Sequence, residues 1–162
     1  MKSLFKAVFS LYLLVLLWLV LFKTSLDFSA VLDHQVRSLN LIPFMGISQS
    51  NLREMLDNLI VFIPFGLLLS VNFKRITVWQ KLTYVFIFSV AVEMIQFILS
   101  IGVADITDVI MNTLGGFFGL MIYSLGNTFI KNEKLDWIIV VVNTILLVLF
   151  LLLRFLVFKV KY

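Results

Sequence analysis

The 162-residue chain has no cysteine, a single histidine and charged side chains at only 14% of its positions. Without cysteine there can be no disulfide and no thiolate metal site. The one histidine, His34, sits in a loop where a surface position is the default, apart from the polar residues of the apolar runs, which include no nucleophile–base pair. Soluble domains carry roughly 25% charged residues. A chain with 14% charged and 62% apolar residues is therefore not an ordinary water-soluble domain. The net charge of +4 does not signal nucleic acid, because the basic residues are scattered over short segments between apolar runs and form no phosphate-tracking patch. At this length there is room for one domain.

What the sequence does have is long apolar runs. Crossing roughly 30 Å of hydrocarbon takes about 20 mostly apolar residues in a helix. Five stretches qualify, at 4–22, 55–73, 82–101, 107–125 and 137–158, and they predict an all-α integral membrane bundle of five transmembrane helices. The first is too long for a signal-peptide core, and no small-x-small cleavage site follows it, so it reads as a retained helix. The second contains Pro64 and Gly66, and the last carries Arg154 as its only charge, near an end from which it can snorkel. Between them lie one long polar segment, 23–54, with an apolar island at Leu41-Ile42-Pro43-Phe44, and three short turns. Lys2, Lys6, Lys74, Arg75, Lys81, Lys131 and Lys134 all fall on one side of the membrane if every run crosses, and the connection at 102–106 has no Lys or Arg. The positive-inside rule then predicts a cytoplasmic N-terminus and an extracellular 23–54 loop, with Lys159 and Lys161 running against it.

The informative residues are those that a membrane helix excludes, since a carboxylate at mid-bilayer costs about 2.5–3.5 kcal/mol even on the lower scales. Asp57 and Asn58 open the second run, Glu93 and Gln96 lie in the second half of the third, and Asp105, Asp108 and Asn112 open the fourth. Glu93 and Gln96 share a helix face with Ser89, and Asp105, Asp108 and Asn112 form another stripe. All belong to the same half of the bilayer, so packing the three helices together predicts one polar pocket opening outward. Simpler roles compete. Asp57 and Asp105 can cap helices, and Glu93 with Gln96 can serve as an interhelical hydrogen-bond network. Gly115 and Gly119, four apart, form a small-xxx-small pattern for close helix approach. Phe86, Phe88, Phe117 and Phe118 read as lipid-facing or packing residues.

Taken in order, these residues resemble a known family. Asn40-Leu41-Ile42-Pro43-Phe44, then Asn58 with Phe62-Ile63-Pro64-Phe65-Gly66, then Glu93-x-x-Gln96, then Asp105-Ile106-x-Asp108-x-x-x-Asn112-Thr113-x-Gly115-x-x-x-Gly119 are similar to the motifs of the VanZ-like family of small bacterial membrane proteins, over residues 38–120. Many relatives carry an arginine just ahead of the first aspartate of the last motif, where this chain has Gly102, Val103 and Ala104; Arg37 and Arg53 are the candidates to replace it. The resemblance implies a part in low-level resistance to teicoplanin and related lipid-tailed glycopeptides. The leading expectation is non-enzymatic binding of a lipid-linked cell-wall precursor or lipoglycopeptide by Asp57, Asn58, Glu93, Gln96, Asp105, Asp108 and Asn112. Membrane lipids are the expected surroundings, and no cofactor is implied, although carboxylates in that number suit Mg²⁺ or Ca²⁺. That chemistry makes a metal-dependent enzyme acting on a lipid-linked envelope molecule the alternative. A transporter comes third, because the other halves of the helices offer little to line a through-path.

Overall fold

In hydrocarbon every backbone N–H and C=O must find its partner inside its own segment, so apolar runs of this length become helices. The computed structural model describes residues 2–22, 36–45 and 48–161; Asp27, Asp33 and His34 lie outside them. In chain order the elements are α1 (Lys2–Leu21), β1 (Val36–Asn40), α2 (Gln49–Asn72), α3 (Val78–Leu99), β2 (Ile101–Asp105), α4 (Ile106–Phe129) and α5 (Asn132–Lys161). All five helices are long and apolar enough to cross a membrane. Their outward faces carry large apolar side chains such as Ile87, Met94, Ile98, Ile122 and Leu146, which in a soluble protein would be an aggregation liability. The chain is an integral membrane protein of helical-bundle type.

Several helices begin ahead of their apolar runs, because a cap and not hydropathy sets the first turn. The Ser48 side chain accepts the Asn51 N–H, so α2 starts at Gln49 and not near Met55. Thr77 and Gln80 form a reciprocal capping box that starts α3 at Val78. The larger departure from the sequence reading is that the connection at 102–106 and part of the 23–54 segment are extended. β1 and β2 pair in parallel, from Val36 opposite Ile101 to Asn40 opposite Asp105. Parallel strands need a long crossover, and here it is the hairpin of α2 and α3. Arg37 is the register partner of Gly102. We call the bundle end that holds the strands the strand end, and the other the basic end.

The central helix is α2. On one side Phe62, Phe65 and Leu69 pack with Leu16 and Val20 of α1 and with Val85 and Val92 of α3. On another, Leu68 and Val71 meet Tyr123 of α4 and Leu135, Ile139 and Val140 of α5. Its closest partner is α4, where Gly115 and Gly119 lie against the backbone carbonyls of Leu59 and Ile63, and Gly66 lies against that of Gly116. No side chain could intervene there. Helix α2 continues through Pro64, which cannot bond the Ile60 carbonyl; the neighbouring Val61 carbonyl accepts a hydrogen bond from the Tyr12 hydroxyl of α1. Phe88 packs inward on Phe62 and Phe65, whereas Phe86 and Phe118 face outward.

Candidate functional site

The polar residues of the strand end are organised around Asp105. Its position as N-cap of α4 follows from its extended backbone, which lets its Oδ1 accept the Thr107 N–H at 2.7 Å. Its Oδ2 accepts from Asn40 Nδ2 at 2.9 Å, which joins the two strands through side chains as well as backbone. Its own N–H donates to Glu93 Oε2 of α3, also at 2.9 Å. Asn40 in turn accepts the Ile42 N–H, and the Thr107 hydroxyl accepts the Phe44 N–H at 3.1 Å. Phe44 is in the left-handed region at φ 59°, and Met45 and the first turns of α2 border the same cavity as the strands. The carboxylate of Asp105 thus fixes one helix start and one strand, and its neighbours Asn40 and Thr107 hold the turn beyond that strand.

Side chains alternate across a strand, and here the alternation separates two environments. Asn40 of β1 with Val103 and Asp105 of β2 face a cavity of about 300 Å³. Asn51, Glu54, Thr107 and Asp108 complete its polar wall, and Phe44, Met45 and Met55 its rim. On the other face of the strands, Leu39, Leu41 and Ala104 line a slot of about 240 Å³ whose remaining walls include Val90, Met94, Phe97 and Ile98. The slot is almost wholly apolar, with Glu93 and Asp105 at its polar edge. The strand pair is therefore a partition about one residue thick, polar on one side and apolar on the other. Asp105 borders both spaces.

Of the residues singled out from the sequence, Glu93, Asp105 and Asp108 come together at this partition; Glu93 and Asp108 are buried. The others are not among the lining of either space. Asn112, fully buried, donates to Ser89 Oγ at 2.8 Å and ties α4 to α3. Gln96, also fully buried, turns to α1 and donates to the carbonyls of Val20 at 2.9 Å and Leu21 at 3.4 Å, closing the end of that helix. Asp57 is exposed on α2, and Asn58, half-buried, has an Nδ2 without a hydrogen-bond partner among the described residues. Asn40, Asn51, Glu54 and Thr107 line the polar cavity but received no role from the sequence. Asn51, Glu54 and Met55 stand at positions i, i+3 and i+4 of α2. The signal that could have found them is the capping pair of Ser48 and Asn51, which moves the helix start ahead of Glu54.

The cavity is acidic. Three carboxylates, of Glu54, Asp105 and Asp108, border it with two side-chain amides, and among the described residues no Lys or Arg does. Arg53 is exposed outside the lining. Such a wall accepts hydrogen bonds and suits hydroxyl, amide N–H or ammonium groups better than a phosphate. Among the described residues, no three His, Asp or Glu side chains come together closely enough to hold a metal ion.

This geometry gathers the ordered motif of residues 38–120 around one strand pair and the α2–α4 glycine contact. Comparison with known proteins points the same way. The family model VanZ/LLP1 matches residues 9–130, from within α1 to the end of α4, and stops just before α5. Protein VanZ of Enterococcus faecium is 50% identical over 153 residues, which is 94% of each chain. No solved structure matches. With the family's match spanning the core helices and a curated relative aligned nearly end to end, the chain belongs to the VanZ/LLP1 family.

Proposed function

We propose that the protein binds a lipid-linked or lipid-tailed ligand at the strand end, without converting it, and so contributes to protection against teicoplanin-type glycopeptides. The observation that carries this reading is the partition: one strand pair offers an acidic, hydrogen-bond-accepting cavity on one face and an apolar slot on the other. A ligand with a sugar or peptide head and an acyl tail has the same division. The head enters the cavity, against Asp105, Asp108, Glu54 and the amides of Asn40 and Asn51, and the tail lies along Leu39, Leu41, Met94 and Ile98. Gln96 and Asn112 hold the helices in register behind the site, through α1 and Ser89, and Glu93 holds the strand by its bond to Asp105. Asp57 and Asn58 stand outside the ligand contacts.

The test is susceptibility in a strain lacking the protein, complemented at equal expression by wild type, by Asp108→Asn with Glu54→Gln, or by Leu41→Asp. Wild type is expected to restore tolerance to teicoplanin but not to alter the response to vancomycin, which lacks the lipid tail. Both variants are expected to lose that tolerance, the first through the head contacts and the second by placing a charge in the tail slot. Unchanged tolerance in both variants would remove the ligand site from the explanation.

The orientation belongs to the same proposal: the N-terminus is cytoplasmic and the strand end faces outward. Support comes from Lys2, Lys6, Lys74, Arg75, Lys131 and Lys134, which all belong to the basic end or its turns. Because the chain contains no cysteine, single cysteines report orientation without background. Met45→Cys is expected to react with a membrane-impermeant maleimide in intact cells, and Lys131→Cys only after permeabilisation. The reverse labelling would invert the protein and take the polar cavity away from the cell exterior.

A further inference from the structure

At the basic end a groove of about 1090 Å³ runs between the first turns of α1, the turn joining α2 to α3, and the start of α5. Its apolar floor includes Phe5, Phe73, Ile76 and Trp137, with Phe5 and Trp137 edge to face at 5.4 Å. Phe73 and Trp137 remain 42% and 39% exposed, so the bundle itself does not cover them. The charged lining is unequal: Lys2, Lys6, Lys74, Arg75 and Lys134 against Glu133 and Asp136. Lys74 and Asp136 are spent on each other, at 2.6 Å, and the Tyr123 hydroxyl donates to the same carboxylate oxygen at 2.9 Å. That leaves Lys2, Lys6, Arg75 and Lys134 opposite Glu133, and none of the four cations has an ion-pair partner among the described residues.

We propose that this groove is a binding site for an anionic phospholipid, with the phosphate among Lys2, Lys6, Arg75 and Lys134 and the first acyl carbons over Phe5, Phe73 and Trp137. The residual positive charge calls for an anion, and the uncovered aromatic floor calls for an attached hydrocarbon. Helix ends of a membrane bundle lie at headgroup depth, where cations and Trp side chains are stable beside lipid. A zwitterionic lipid would bring an ammonium group into the cationic wall and gain less. A soluble phosphate would leave the floor open. The site lies at the opposite end of the bundle from the ligand cavity and does not depend on the function proposed for it.

The experiment uses the full-length protein purified in a neutral detergent and offered equal amounts of phosphatidylglycerol and phosphatidylcholine, with retained lipid counted by native mass spectrometry. Wild type is expected to retain phosphatidylglycerol at least tenfold in preference. Each cation near an anionic lipid contributes about fivefold in affinity, so Arg75→Gln with Lys134→Gln is expected to lose about 25-fold at unchanged thermal stability. Arg53→Gln, at the strand end, is expected to retain the lipid as wild type does. If the first pair fails to fold, Lys2→Gln with Lys6→Gln reads the same loss from α1, away from the Lys74–Asp136 pair. Equal retention of the two lipids, an equal loss in Arg53→Gln, or full displacement of phosphatidylglycerol by inorganic phosphate would each overturn the proposal.

Discussion

Gly119→Val is expected to remove folded protein from the membrane, lowering its recovered level at least tenfold, and the double variant with Gly115→Val is expected to leave none. A Cβ at either position would fall on the backbone of α2, at the Ile63 carbonyl for Gly119 and the Leu59 carbonyl for Gly115. Over-packing a side-chain core costs about 1–3 kcal/mol because side chains can turn aside. A helix backbone cannot turn aside, so α2 and α4 must separate along their length. That separation opens the contacts around Phe62 and Phe65, and in lipid no hydrophobic effect between helices restores them. A loss of about 1.4 kcal/mol is already tenfold in the folded population. Gly126 supplies the control. There a Cβ would meet only the side chain of Leu135, at 3.2 Å, so Gly126→Ala is expected to accumulate as wild type does. The measurement is the monodisperse fraction recovered from membranes in mild detergent; a wild-type yield of Gly119→Val would mean that the helices do not touch as described.

The second large effect is at Asp105. Asp105→Ala removes the cap on Thr107 and the acceptor of the Asn40 amide together. A lost cap costs about 1 kcal/mol, and the lost hydrogen bond to the half-buried Asn40 amide about 0.5–1.5 kcal/mol more. The expected destabilisation is therefore about 1.5–2.5 kcal/mol, seen as a lower midpoint in a thermal unfolding series in detergent. Asp105→Asn separates structure from charge. Asn is as good a cap as Asp, so most of the stability is expected to return, while the cavity loses one of its three carboxylates. A folded Asp105→Asn protein without teicoplanin tolerance would assign the carboxylate to ligand contact. Full tolerance in that variant would assign Asp105 to scaffolding alone.

The helices were legible because period and length suffice for them: an apolar run of 20 residues has few other fates in a bilayer. The Gly115-x-x-x-Gly119 spacing likewise pointed to a close helix contact, and the structure supplies the partner, α2, with Gly66 opposite. Shared faces were legible, but the neighbours of each face were not. Gln96 lies one turn from Glu93 on α3, yet its amide reaches α1 while the Glu93 carboxylate reaches β2. A stripe on a helix spans enough of its circumference to meet two neighbours, and spacing alone does not divide it between them. The strands were not legible at all. Each has only five residues, too short for alternation to stand out beside runs of 20, and pairing them requires knowing that α2 and α3 return the chain to its starting level. Only the strand pairing sets Asn40 opposite Asp105, 65 residues away, and no local spacing encodes it.

The parallel pairing of β1 with β2 also bears on how the site comes into being. Synthesis delivers β1 before α2 and α3, and β2 only after both. Cutting the chain in the turn between Asn72 and Val78 would assign one strand to each piece. The partition is thus a seam between two halves of the protein, and neither half owns the site. Until the halves dock, the polar groups of the cavity have no common wall and the apolar slot has no second side. The cavity and the slot therefore exist only once the two halves have docked.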